Sequence, residues 1–297
     1  MNPTLTLALF LFSPIVAGAA LRRLGVLRQI FDFLRIFTTL IILPLIAFVY
    51  VSALVPAQVI ALWGAVIAAV MGVAACFFAS CFLASRLPKE EGVALVLNSS
   101  FMNVAHLGLP VIYAKLGSAF MPPAVLYAVT VAVLNLFLGT LLMHFLITKS
   151  PSLRQIFTQT FTFPAVALLL LALLLVYLRA PLPQDLYNFF TQRIFPTFFL
   201  LLLLQVGYHL RIETSRKYAR HLPVVGLLRL LLCPLVTLAT CHLLGVGKSI
   251  VRPALYLSLM PPSFFNLILA QSLELDSRPY SLTIFVLTLL SFLLFLL

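Results

Sequence analysis

Apolar runs long enough to cross a bilayer follow one another along this 297-residue chain, and no polar stretch between them exceeds a loop. A spanning helix needs about 20 predominantly apolar residues. Spans are expected at 4–21, 31–50, 57–85, 92–116, 121–147, 162–179, 186–209, 222–245, 250–272 and 279–297. Hydrophobic residues make up 63% of the chain and charged residues 9%, against about 25% charged in soluble domains. That apolar surface exceeds what one aqueous core can bury, so the bilayer acts as the solvent. The expected fold class is an all-α membrane protein, one transmembrane unit over residues 1–297 with about ten helices. Met1 to Thr4 carries no basic residue ahead of the first apolar run, so that run is expected to be a mature span rather than a cleaved signal.

Two of these spans cannot finish as ordinary helices. The fourth contains Asn98-Ser99-Ser100-Phe101-Met102-Asn103-Val104-Ala105-His106-Leu107-Gly108-Leu109-Pro110, and the ninth contains Ser258-Leu259-Met260-Pro261-Pro262-Ser263-Phe264-Phe265-Asn266. Proline lacks the N–H that continues a helix and opposes the preceding turn. Lipid offers no partner to the backbone groups so freed, so another helix, water or a ligand must supply one. Interrupted hydrophobic segments at matching places in two halves point to a transporter's binding site. If the two broken helices cross, their half-helix N-termini present partial positive charge and free N–H groups, which suit an anion.

The halves resemble each other. Leu34 to Thr39 matches Gln192 to Thr197, and Ala94 to Leu97 matches Ala254 to Leu257, at nearly equal separations. Repeats are placed at 1–150 and 151–297. A unit of five spans is odd, so the second copy enters the membrane inverted. At this separation Asn103 aligns with Ser263 and His106 with Asn266, which brings the four together. The candidate substrate-binding residues are Asn98, Asn103, His106, Pro110, Pro262, Ser263 and Asn266. His106 is also the candidate proton-coupling group, because imidazole titrates near physiological pH and an ionisable residue at membrane depth is a functional candidate.

The net charge of +12 does not indicate nucleic acid, since the basic residues are scattered at span ends with no aromatic-interleaved basic face. Such charges set topology and meet lipid headgroups. With the N-terminus outside, every Lys and Arg except Lys115, Arg179, Arg193, Lys248 and Arg252 falls on the cytoplasmic side, Arg229 among them. Both termini are therefore expected outside. Asp32, Glu90, Glu91, Asp185, Glu213, Glu274 and Asp276 all lie near span ends or in loops, so no mid-span carboxylate signals a proton relay, a dedicated sodium cage or a cationic substrate. Cys76, Cys81, Cys233 and Cys241 show neither CxxC nor metal spacing and read as buried small hydrophobes. No metal, cofactor or catalytic residue is expected. There is no HExxH and no nucleotide-binding loop.

At these residues the chain resembles the auxin efflux carrier family, with its bacterial malonate and malate permease-like members and the plant PIN carriers. Residues 98–110 are similar to that family's fourth-span pattern, a small polar run followed by N-T-G-F-x-G-x-P. Asn103, Gly108 and Pro110 fit, while Ala105 stands in place of Gly and His106 in place of an apolar or amide residue. Met260 to Ala270 resembles the ninth-span pattern, and Leu34 to Phe48 and Phe195 to Leu210 also fit. The resemblance implies two inverted five-helix repeats with crossing helices 4 and 9, a fold shared with bile-acid/sodium symporters. It implies a scaffold of helices 1, 2, 6 and 7 and a transport domain of helices 3–5 and 8–10. It further implies organic anions as substrates, elevator-type alternating access in a bacterial inner membrane, and often a homodimer. The coupling ion is left between proton and sodium. A sodium-coupled symporter and a transport-dead membrane sensor are the alternatives.

Overall fold

The computed structural model describes residues 3–24, 28–143, 153–210, 216–272 and 274–296. Regular structure there is helical, apart from one isolated antiparallel bridge between Met102 and Pro262. Helix α1 is Pro3–Arg23, α2 Arg28–Ser52 and α3 Pro56–Ala84. The first interrupted span forms α4, Lys89–Ser100, and α5, Val104–Leu116. Then come α6, Ser118–Leu142, α7, Leu153–Phe161, α8, Pro164–Tyr177, α9, Gln184–His209, and α10, Leu222–Leu243. The second interrupted span forms α11, Lys248–Ser258, and α12, Phe264–Ser272, and α13 is Arg278–Leu296.

Among the described residues, six helices are long and apolar enough to cross a membrane: α2, α3, α6, α9, α10 and α13. Helix α8 is apolar, but its 14 residues rise only about 21 Å, short of the ~30 Å hydrocarbon layer. Helix α7 falls where the sequence reading has a loop. Polar residues dilute its hydropathy, and it buries Ile156 and Thr160 while leaving Phe157 and Phe161 exposed. Between α9 and α10, residues 211–215 lie outside the described residues, and a short helical turn follows at Arg216–Ala219. His144 and Lys149 also lie outside them.

Four helices contain a π-helical turn with a proline two residues beyond it. The turns are Thr38–Ile42 before Pro44, Val104–Gly108 before Pro110, Phe190–Ile194 before Pro196 and Leu228–Leu232 before Pro234. A proline ring clashes with the carbonyl four residues back, and widening the preceding turn moves that carbonyl aside. In α2 and α9 this device aligns Pro44 with Pro196, whereas the sequence match aligns Thr38 with Pro196. A short apolar match is a poorer guide to register than the proline.

Several helix pairs pack closely. Helix α1 lies against α9, and the second half of α2 lies against α8. Helix α3 packs on α4, α6 and α10, and α11 packs on α6 and α10. The α1–α9 crossing brings backbones into contact. A Cβ added at Gly207 would sit 1.9 Å from the Ile15 carbonyl oxygen, and one at Gly18 would sit 2.0 Å from that of Leu204. Glycine at such a crossing permits the close backbone approach typical of membrane helices.

Candidate substrate site at the helix crossing

The two interrupted spans cross at their unwound residues and are tied there by their own backbones. The Asn103 N–H donates to Pro261 O at 2.7 Å, and the Ser263 N–H donates to Phe101 O at 2.9 Å. The first break therefore lies at Phe101–Asn103. Pro110, read from the sequence as a breaking residue, sits inside α5 beyond the break, and its ring is accommodated by the wide turn before it.

The carbonyls freed by the two breaks find specific donors, as buried backbone must. The Asn266 side-chain Nδ2 donates to Leu97 O at 2.9 Å, adding to the Phe101 N–H that Leu97 O already accepts. The Ser291 hydroxyl donates to Leu259 O at 2.8 Å. Arg229, fully buried in α10, donates from Nη1 to Ser99 O at 3.1 Å and from Nη2 to Ser258 O at 2.8 Å. Ser263 caps α12, its Oγ accepting from the Phe265 N–H at 3.2 Å.

Beside the crossing lies a cavity of about 630 Å³, within the range of small-molecule sites. Both half-helix N-termini open into it, through Asn103 to His106 on α5 and Ser263 to Phe265 on α12. Asn103 is 3% exposed, and its side-chain Nδ2 has no hydrogen-bond partner. A buried amide donor left open on a cavity wall is a place for a ligand acceptor. Arg28, Asp32 and Arg35 line the same cavity from α2, and Gln205 and His209 line it from α9. Asp32 is the one carboxylate in that lining, and it stands 3.9 Å from each of Arg28 and Arg35. The wall is otherwise mostly apolar.

A second amide, Asn135 of α6, also lines the cavity, and its orientation is fixed from behind. Asn266 must present Nδ2 to Leu97 O, so its Oδ1 accepts from Asn135 Nδ2 at 3.3 Å. Asn135 Oδ1 is then the atom left without a partner.

Of the residues singled out from the sequence, Asn103, His106 and Ser263 line the cavity, whereas the repeat pairing expected Asn266 beside them. Asn98, Pro110, Pro262 and Asn266 are not on its wall. Asn98 is buried, with Nδ2 3.4 Å from Pro279 O. Pro262 is taken up in the bridge. Asn266 is fully buried and holds the crossing together. Asn135, Gln205, Arg35 and His209 are cavity residues the sequence reading did not select. The available signal was a lone amide inside an apolar span, at Asn135 and at Gln205. Arg229 is corrected outright. It is not an interfacial topology determinant but a fully buried group at the crossing.

The arrangement is that of a multi-pass helical membrane protein with a polar cavity at a helix discontinuity. A family model described as "Membrane transport protein" matches residues 20–160, a little under half of the chain, including the first broken span. No curated protein matches the chain. Transport across a membrane is accordingly the activity against which the cavity is read.

Proposed function

We propose that this chain is a secondary transporter of small organic anions, carboxylates above all, and a member of the auxin efflux carrier family with bacterial malonate and malate permease-like relatives and the plant PIN carriers as kin. One observation carries the substrate class. Two half-helix N-termini and Asn103, whose amide donor has no partner, line a cavity whose single carboxylate, Asp32, is already flanked by Arg28 and Arg35. Helix N-termini and oriented N–H donors favour negative charge. A cation would find no free carboxylate in that lining. Ser263 and His106 complete the polar wall on either side of the crossing.

In this reading the chain spans a bacterial inner membrane ten times as two inverted repeats of five, with both termini outside. Helices α1, α2, α8 and α9 form the scaffold, which joins two copies in a homodimer. Helices α3–α6 and α10–α13 form a transport domain that moves past it in an elevator cycle. The close packing of α1 on α9 and of α2 on α8 supports this division. The lipid bilayer and the anion are its other partners. Nucleic acid is not, and no enzymatic step is involved. His106 is the candidate proton-coupling residue.

Counterflow in proteoliposomes with a panel of mono- and dicarboxylates tests the reading. Saturable exchange of at least one carboxylate is expected, with a higher half-saturating concentration in Asn103→Ala. Saturable binding without any exchange would instead identify a sensor.

A further inference from the structure

Arg229 lies in the wide turn Leu228–Leu232 of α10, and its guanidinium sits where α4 and α11 both end. Nη1 donates to Ser99 O at 3.1 Å and Ser100 O at 3.4 Å, while Nη2 donates to Ser258 O at 2.8 Å and meets Met102 Sδ at 3.4 Å. The side chain is 0% exposed. Among the described residues no carboxylate pairs with it. A buried charge without a counter-ion is costly unless dipoles compensate it. Here they do. Each helix C-terminus carries roughly half a negative charge, and two of them face one guanidinium.

Unwound carbonyls and half-helix C-terminal ends are also the groups that coordinate sodium in ion-coupled transporters with broken helices. We propose that Arg229 is a tethered cation standing in that position, so that the crossing is held together without sodium and sodium does not drive transport. A guanidinium keeps its charge at any physiological pH, so the place is never vacated. The part of the proposal that concerns flux rests on the transporter reading above. The part that concerns the crossing does not.

The test compares melting of the purified protein in NaCl and in choline chloride at equal ionic strength, for wild type, Arg229→Gln and Arg229→Ala. Wild type is expected to melt at the same temperature in both salts. Arg229→Gln, which keeps donors but no charge, should melt lower by roughly 5 °C or more. Arg229→Ala, which opens the space, should be stabilised in a saturable way by Na⁺ or by low-millimolar methylguanidinium. Wild-type counterflow of a carboxylate should be equal in the two salts. Saturable stabilisation of the wild type by Na⁺ overturns the proposal, as does an Arg229→Gln that melts like wild type in choline. Should Arg229→Ala fail to fold, the wild-type and Arg229→Gln measurements decide. If wild type exchanges no carboxylate in either salt while the melting results hold, the transporter reading fails and the tethered cation stands.

Discussion

Two asparagines on opposite sides of one wall divide the work at the crossing. Asn103 lines the cavity and has an amide donor without a partner, whereas Asn266 spends its amide on Leu97 O and on Asn135. Asn103→Ala should therefore act on substrate. Losing one hydrogen bond to a charged ligand, worth about 1.5–3 kcal/mol, should raise the half-saturating concentration in counterflow about 10- to 100-fold with little change in melting temperature. Asn266→Ala should act on the fold. It removes the second donor to Leu97 O and leaves the Asn135 amide without its partner, and interhelical hydrogen bonds in membranes are worth up to about 2 kcal/mol. A lower melting temperature is expected, accompanied by a smaller effect on half-saturation than in Asn103→Ala. His106 lines the cavity with Arg35 and His209. His106→Gln keeps a hydrogen-bonding edge but cannot take a proton, so the dependence of flux on pH between about 5 and 8, where imidazole titrates, should flatten. An unchanged profile would remove the proton-coupling role. These residues were partly legible. Asn103, His106 and Ser263 stood out because polar groups beside an interrupted helix must meet something other than lipid. Arg229 did not, because one arginine near the start of an apolar run reads like any interfacial arginine. What sets it apart is the simultaneous approach of two helix ends distant in sequence.

At the scale of the element, the close α1–α9 crossing is the most exacting contact. A side chain at Gly207 would run into the Ile15 backbone, which cannot rotate away as a side chain can. Gly207→Leu should cost at least ~2 kcal/mol through overpacking, read as a loss of folded, monodisperse protein. The α13 start is tied differently. Asp276 accepts from Arg278 and from the Tyr218 hydroxyl at 2.8 Å. The Arg278 guanidinium holds its carboxyl well below the usual carboxylate range. Its contribution to stability is therefore complete above about pH 4 and is lost as pH falls through the lowered value. The breaks in the fourth and ninth spans were visible in advance because proline and amides interrupt apolar runs. The wide turns were not. Proline marks where a turn must yield, but whether it yields by kinking or widening depends on the neighbours packed around it. Helix α7 escaped because an amphipathic pattern of nine residues between long apolar runs looks like a loop.

At the scale of the molecule, the distribution of basic residues motivates a topology with both termini outside. Terminal reporter fusions should read non-cytoplasmic at both ends, and a cytoplasmic signal at either would end the ten-span arrangement. Apolar run length located the long helices, but the pairing of helices across the fold was not readable from any local pattern. It is set by which faces meet across the fold, as at Gly18 and Gly207.

The backbone exchange between Asn103 and Pro261, and between Ser263 and Phe101, also carries a consequence for how the chain is made. The first break enters the membrane long before its partner exists. At about 5–20 residues per second of synthesis, the unwound turn at Phe101–Asn103 waits roughly 10–30 s for Pro261 to leave the ribosome. Arg229 emerges earlier than Pro261, so the guanidinium can reach Ser99 and Ser100 before the bridge closes. Until then, the nascent first half holds exposed peptide groups at membrane depth and depends on the insertion machinery, or on water, to shelter them.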